Sequence, residues 1–175
     1  YRVEETEYVT ARTTFTLTSA DDLITLGDGT GLGVKEQAVR LTAEGSTVRE
    51  LTFENAEPKQ GQTFVSTFTL AGTADGIYVL VYNAEDIIGN LEEVKTSTYA
   101  VDNTAPQTGY KVAGIGYRKD GILYIPVESG IYLETTDPVS NGVASGLKAV
   151  YLSVDGQPFA VYGSTFTLNE GIHQI

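Results

Sequence analysis

The sequence predicts an all-β fold, a sandwich or barrel of antiparallel strands laid out as two tandem copies. Short apolar segments alternate with polar residues at a period of two, as half-buried strands do. Turn signals rich in Gly, Asn, Asp and Pro bound these segments at intervals of about 8–12 residues. The second half of the chain then repeats the first, with insertions and deletions confined to loops.

In chain order, residues 8–19 open the pattern. Phe15 and Leu17 alternate with Thr14, Thr16 and Thr18. Residues 21–33 hold a short apolar run and a glycine-rich loop. Residues 37–43 alternate again, with Val39 and Leu41 on one face, and Glu44-Gly45 turns the chain. Val48, Leu51 and Phe53 mark the next strand, which Pro58 separates from another at 63–70. Residues 77–84 are apolar on both faces, with Ile77, Val79 and Val81 on one side and Tyr78, Leu80 and Tyr82 on the other. Such a run belongs mid-sheet, packed on one side and shielded by rings on the other. Ile88-Gly89-Asn90 turns the chain into a last strand carrying Val94, Tyr99 and Val101. Residues 34–41 have weak helical spacing, but their β-branched residues and flanking glycines favour a strand.

The repeat is read from three ordered matches. Tyr1-Arg2 aligns with Tyr117-Arg118, and the same spacing pairs Tyr8 with Tyr124, Val9 with Ile125, Phe15 with Ile131, Leu17 with Leu133 and Asp21 with Asp137. Ala38-Val39-Arg40-Leu41-Thr42-Ala43-Glu44-Gly45 aligns with Ala149-Val150-Tyr151-Leu152-Ser153-Val154-Asp155-Gly156. Ser66-Thr67-Phe68-Thr69-Leu70 is identical to Ser164-Thr165-Phe166-Thr167-Leu168, and Gly76-Ile77 matches Gly171-Ile172. The matches divide the chain into a first module over 1–106, a linker over 107–116 and a second module over 117–175. No counterpart of 81–106 follows in the second module, so its last strand is expected to be missing. A sheet lacking that strand leaves an apolar groove and unpaired backbone groups. It would be completed by further chain or by a strand added from another subunit. Residues 1–10 precede the first clear strand and are read as a leading strand or as the donor.

Composition limits the function classes. The 175 residues carry 41% apolar residues, enough for packed cores, and no stretch reaches the ~18 consecutive apolar residues of a membrane span. The net charge of -12 argues against nucleic acid, which needs Lys and Arg to neutralise phosphates. It suits a soluble chain or one that gathers cations. A chain that opens on Tyr1 and holds no Met is expected to be processed or part of a longer protein. With no Cys there are no disulfides or thiolate metal sites.

Tyr82-Asn83-Ala84-Glu85-Asp86-Ile87-Ile88-Gly89-Asn90-Leu91-Glu92, followed by Tyr99-Ala100-Val101-Asp102-Asn103-Thr104-Ala105-Pro106, resembles the Y-x-A-x-D-x-x-G-N-x-E … V-D-x-T-A-P signature of bacterial Ig-like surface repeats. In the second module, Ser145-Gly146, Tyr151, Asp155-Gly156, Phe159, Tyr162 and the stretch from Phe166 to Gly171 are similar to the OmpL47-type repeat, and His173 falls near that pattern's histidine. The first module departs from that pattern at 34–43, where the Ser-Gly start and the tyrosine are lacking. The resemblance implies tandem Ig-like antiparallel β-sandwiches, extracellular or on the cell surface. It further implies a stalk, spacer or fibre, or an accessory module beside an enzyme or adhesin. The expected partners are neighbouring modules or subunits of the same protein, and surface glycans or proteins.

The candidate chemistry is acidic. Asp86 and Asn90 sit on one turn, and Asp102 and Asn103 on the acidic stretch before Pro106. Carboxylates and amide carbonyls are hard oxygen donors that suit Ca²⁺ with its six to eight oxygens. Asp102-Asn103-Thr104-Ala105-Pro106 also resembles the D-N-x-P linker of cadherins, where calcium stiffens domain junctions. The competing reading is a turn, in which Asp and Asn bond their own backbone. Asp21, Asp22 and Asp137 end equivalent strands and could contribute from nearby loops. Calcium is the one cofactor the residues suggest. Gly27-Asp28-Gly29-Thr30-Gly31 lacks the Lys and following helix of a phosphate loop. His173 is the single histidine, without a second His or a Cys to complete a zinc site or an evident nucleophile to serve. The sequence therefore points to a non-catalytic protein. Exposed tyrosines could still offer a sugar-stacking face, although Tyr78, Tyr82, Tyr124 and Tyr151 read first as core or cross-strand residues.

Overall fold

A computed structural model describes residues 1–3, 6–21 and 31–175, and among these the chain forms strands and no helix. They divide into two compact units. The first is Tyr1–Asn103 with Val139–Ser145; the second is Thr104–Pro138 with Gly146–Ile175.

The first unit carries strands β1 (Arg2–Val3), β2 (Thr6–Val9), β3 (Thr14–Ala20), β4 (Val34–Ala43), β5 (Ser46–Glu54), β6 (Thr63–Thr69), β7 (Gly76–Asp86) and β8 (Lys95–Val101). Six form one sheet in the order β1-β2-β8-β7-β4-β5, while β3 and β6 pair separately. All pairings are antiparallel except β2 with β8, which run parallel with Val9 opposite Val101. The alternation read in the sequence decides which side chains meet. Val39 and Leu41 of β4, Tyr78 and Leu80 of β7, Val9 and Val101 join Phe68 and Leu70 from the β6 side in one buried cluster. Phe15 stacks on Phe68 at 5.2 Å and meets Tyr99 edge-on at 5.1 Å. Side chains of both sheets thus share a core, and each fully withdrawn Leu or Val contributes roughly 1.5–3 kcal/mol. Gln37 joins the sheets by polar contacts. Its buried amide donates to Ser19 Oγ (2.9 Å) and to the Phe64 carbonyl (3.2 Å), and its Oε1 accepts from Ser66 Oγ.

The second unit carries β9 (Gln107–Ala113), β10 (Tyr117–Lys119), β11 (Ile122–Tyr124), β12 (Gly130–Thr136), β13 (Tyr151–Leu152) and β14 (Ala160–Val161). They pair as β9-β12, β10-β11 and β13-β14, all antiparallel. Ile131 also exchanges backbone bonds with Phe166 at 2.7 and 3.0 Å. That contact reproduces the first unit, where Phe15 lies opposite Phe68, the repeat partners of Ile131 and Phe166.

Several expectations change. Residues 107–116 were expected as linker, but 107–113 are strand β9, and residues 107 to 113 register against β12 from Thr136 to Gly130. The alternation of Tyr110 and Val112 was hidden by the Gly and Pro around it. The first unit ends at Asn103 and takes in 139–145. Glu7, Tyr8 and Val9 of the leading segment pair in parallel with Tyr99, Ala100 and Val101 of β8, the place of a leading strand in their own unit. On β7 the rings line the core face, with Tyr78 buried and Ile77 51% exposed, the reverse of a shielding role. Tyr124 and Tyr151 are exposed. Residue 22 and the loop residues 27–30 lie outside the described residues.

Candidate functional site: the acidic corners

Among the described residues, the acidic residues singled out by the sequence sit at strand ends, and each holds a turn or a corner. Asp86 ends β7. Its Oδ1 accepts the backbone N–H of Ile88 (3.0 Å) and of Asn90 (2.8 Å), and its Oδ2 accepts the Asn90 side-chain amide (2.7 Å). Desolvation pushes the Asp86 carboxyl up, but these donors from Asn90, Ile88 and Gly89 outweigh it and hold its pKa below the ordinary value. Gly89 takes φ 92°, as an Asx-bonded turn requires.

Asp102 and Asn103 lie at the other end of the sheet. Asp102, 7% exposed, accepts the Ser145 N–H on Oδ2 at 2.7 Å. Asn103 is held on three sides. Its N–H donates to Asp75 Oδ1 (2.7 Å), its side-chain amide donates to the Thr73 carbonyl (3.1 Å), and its Oδ1 accepts the Ala11 N–H (2.7 Å). Asn141 adds a bond to the Asp75 carbonyl at 3.0 Å. This partly buried knot ties the end of β2, the turn before β7, the exit from β8 and the segment 139–145 within the first unit. Asp75, itself 8% exposed, was missed in the sequence, where Asp75-Gly76 reads simply as a turn.

The four proposed calcium ligands therefore fall into two pairs. Val101 is registered against Gly76, and Asp86 stands ten residues further along β7, roughly 30 Å away at strand rise. The structure does not bring Asp86 and Asn90 together with Asp102 and Asn103. Among the described residues no group of three or more His, Asp or Glu converges as a metal site.

Asp21 and Asp137 behave as a matched pair, one in each unit. Asp21 Oδ2 accepts the N–H groups of Leu32 (2.7 Å) and Gly33 (2.9 Å) just before β4. Asp137 Oδ2 accepts the Gly146 N–H at 2.6 Å. Each follows the corresponding strand and holds the loop that returns toward the next.

The second unit adds a corner that the sequence did not reveal. His173 Nδ1 lies 2.7 Å from Asp155 Oδ2, and Nε2 lies 3.1 Å from the Asn169 carbonyl. Gln174 N–H donates to Asp155 Oδ1 (2.9 Å), and Asp155 N–H donates to the Gln174 carbonyl (2.8 Å). The bond to Asp155, and then that to Asn169, raises the His173 pKa; the same bond, with the Gln174 N–H, lowers that of Asp155. The available signal was positional, since Gly171-x-His173 repeats Gly76-x-Tyr78 and Asp155-Gly156 repeats Glu44-Gly45.

No family model matches this chain, and no curated protein or solved structure matches it.

Proposed function

We propose that the chain is a non-catalytic structural module of a secreted or cell-surface bacterial protein, built as tandem Ig-like β-sandwiches that act as a stalk or fibre. The observation that carries this reading is the duplication of one set of fold-holding features. Both units have the strand-end aspartate that clamps a returning loop and the Phe15–Phe68 type of pairing. Both turn on a residue pair with positive φ, Glu44-Gly45 (49° and 78°) and Asp155-Gly156 (52° and 72°). Repetition of architecture, with acids spent on turns, is the economy of a spacer. The sheet order of the first unit, with a leading strand parallel to the last, and its shared core support an Ig-like sandwich. The second unit keeps an apolar groove lined by Val112, Leu123, Ile125, Ile131 and Leu168. Most of these are repeat partners of the first unit's core, which favours completion by an added strand between subunits or modules.

Pulling a tandem concatemer by atomic force microscopy tests the mechanical role. Discrete rupture peaks, each releasing about 3.5 Å per unfolded residue, are expected. Featureless low-force extension would remove it.

A second reading is favoured by one observation in the second unit. Tyr117 and Tyr124 lie directly opposite each other across β10 and β11, and both are more than half exposed. Rings so placed suit stacking on a sugar or a protein surface, as an accessory binding module would use. Glycan-array binding that is lost in Tyr117→Ala and Tyr124→Ala would shift the assignment to this class.

A further inference from the structure

In the first unit, Gly76 (φ 153°) is followed by Tyr78, whose hydroxyl donates to the Ala74 carbonyl four residues upstream at 3.1 Å. A buried tyrosine at the start of a sandwich strand, bonded back to the preceding backbone, fixes the corner through which the chain enters that strand. In the second unit, Gly171 (φ 150°) is followed by His173, whose Nε2 meets the Asn169 carbonyl four residues upstream at 3.1 Å. A Cβ added at Gly76 would touch the Tyr78 ring at 3.4 Å, and one added at Gly171 would touch the His173 ring at 3.4 Å. The two rings occupy one structural position. The histidine differs in having a second polar atom, which reaches Asp155 on the turn after β13.

Both ring nitrogens of His173 therefore face acceptors, a carboxylate and a carbonyl. A neutral imidazole has one N–H and can satisfy one of them, whereas the imidazolium satisfies both. We infer that the second unit carries a proton-operated corner, in which protonated His173 latches residues 169–175 to the 154–157 turn and neutral His173 releases one side of the latch. In the first unit Thr42 is registered with Val79, and their repeat counterparts are Ser153 and Gln174; in the second unit Gln174 bonds instead to Asp155, two residues beyond Ser153. The latch thus governs how the chain enters the strand position next to β13. Of the charged groups around the ring, Asp155 is bonded to it, while Glu170 and Arg118 line the same groove.

The sign follows from the two directions. His173 is raised above its ordinary 6.5, so its contribution is fully present below 6.5 and is lost as pH rises through the folded value. Asp155 is lowered from its ordinary 3.8, so its contribution is present above 3.8 and is lost as pH falls through the folded value. The corner is fully latched between those limits. Tyr78 supplies an unswitched control in the same molecule, because its ring carries a single polar atom, a hydroxyl that donates to the Ala74 carbonyl. This inference is independent of the stalk reading.

The test is NMR on the whole chain between pH 5 and 9, following the His173 ring and hydrogen exchange at the Gln174 and Asp155 amides. Protection corrected for intrinsic exchange should fall as the ring titrates, about tenfold for each pH unit by which its midpoint exceeds 6.5. Amides near Tyr78 should show no such step. His173→Tyr should remove the pH dependence and keep the corner closed. Asp155→Asn should bring the ring's midpoint down, and it decides the matter if the tyrosine variant does not fold. A flat protection profile in the parent chain, an unchanged profile in His173→Tyr, or an unmoved midpoint in Asp155→Asn would each overturn the latch.

Discussion

At the scale of single residues, polar side chains hold this protein where its apolar ones do not reach. Gln37 is fully buried between two sheets and satisfied by Ser19, Ser66 and the Phe64 carbonyl. Gln37→Leu keeps much of the volume but orphans those partners, which costs about 1–3 kcal/mol. The loss should appear as a lower urea midpoint for the first unit. Adding Ser66→Ala should recover part of it, since one orphan is then removed. An additive pair would mean that the Gln37–Ser66 bond contributes nothing. The same logic bears on calcium. The Asp86 carboxylate is already bonded by Ile88 and Asn90, and the second pair of proposed ligands stands at the far end of the sheet. The melting temperature should be equal in calcium and in chelator. A rise with calcium would mean that an ion binds the folded state and that these oxygens can be recruited from their turns.

At the scale of elements, the turns after β4 in the first unit and after β13 in the second rest on backbone geometry rather than contact. Gly45 (φ 78°) and Gly156 (φ 72°) have open space where a Cβ would lie. Gly45→Ala and Gly156→Ala should therefore each cost only the left-handed backbone term, roughly 1–2 kcal/mol. Denaturant unfolding of the two variants should lower the stability of a different unit in each case. The turn pairs were legible in the sequence because Glu44-Gly45 and Asp155-Gly156 leave few conformations open. The alternating strands were legible for the same kind of reason, as Phe15, Leu17, Val39 and Leu41 have one buried face. Strand β9 was not, because Gln107, Thr108 and Gly109 carry no apolar period and Pro106 reads as a linker. Its partner β12 supplies the order that its own residues lack. Nor could local pattern show that Asp75, Asp102 and Asn103 close the first unit with residues 141 and 145, since that knot spans distant segments. The His173 corner lay in view as a repeat of Gly76-x-Tyr78, but its partner Asp155 became apparent only once the turn was placed.

At the scale of the whole molecule, apolar burial is unevenly shared. Among the described residues, Ile131 is the one buried apolar side chain of the second unit, whereas the cluster around Leu41, Leu70, Leu80 and Val101 belongs to the first. Ile115, Phe159, Val161 and Ile172 of the second unit are each more than two-thirds exposed. Stability scales with apolar area withdrawn from water, at about 25 cal/mol per Å², so the two units should not unfold together. Urea titration followed by residue-resolved NMR should show amides of β9 to β14 lost first and those of β4, β7 and β8 last. A fluorescent apolar dye should bind before the second transition and lose contact when strands are supplied to cover the groove lined by Ile125, Ile131 and Leu168. A peptide with the sequence of residues 91–106 is the natural strand to try, because that stretch fills the equivalent place in the first unit. A single cooperative transition with coincident loss of all amides would contradict this asymmetry. It would mean that the exposed residues of the second unit do not set its stability, and the case for completion by an added strand would lose its physical basis.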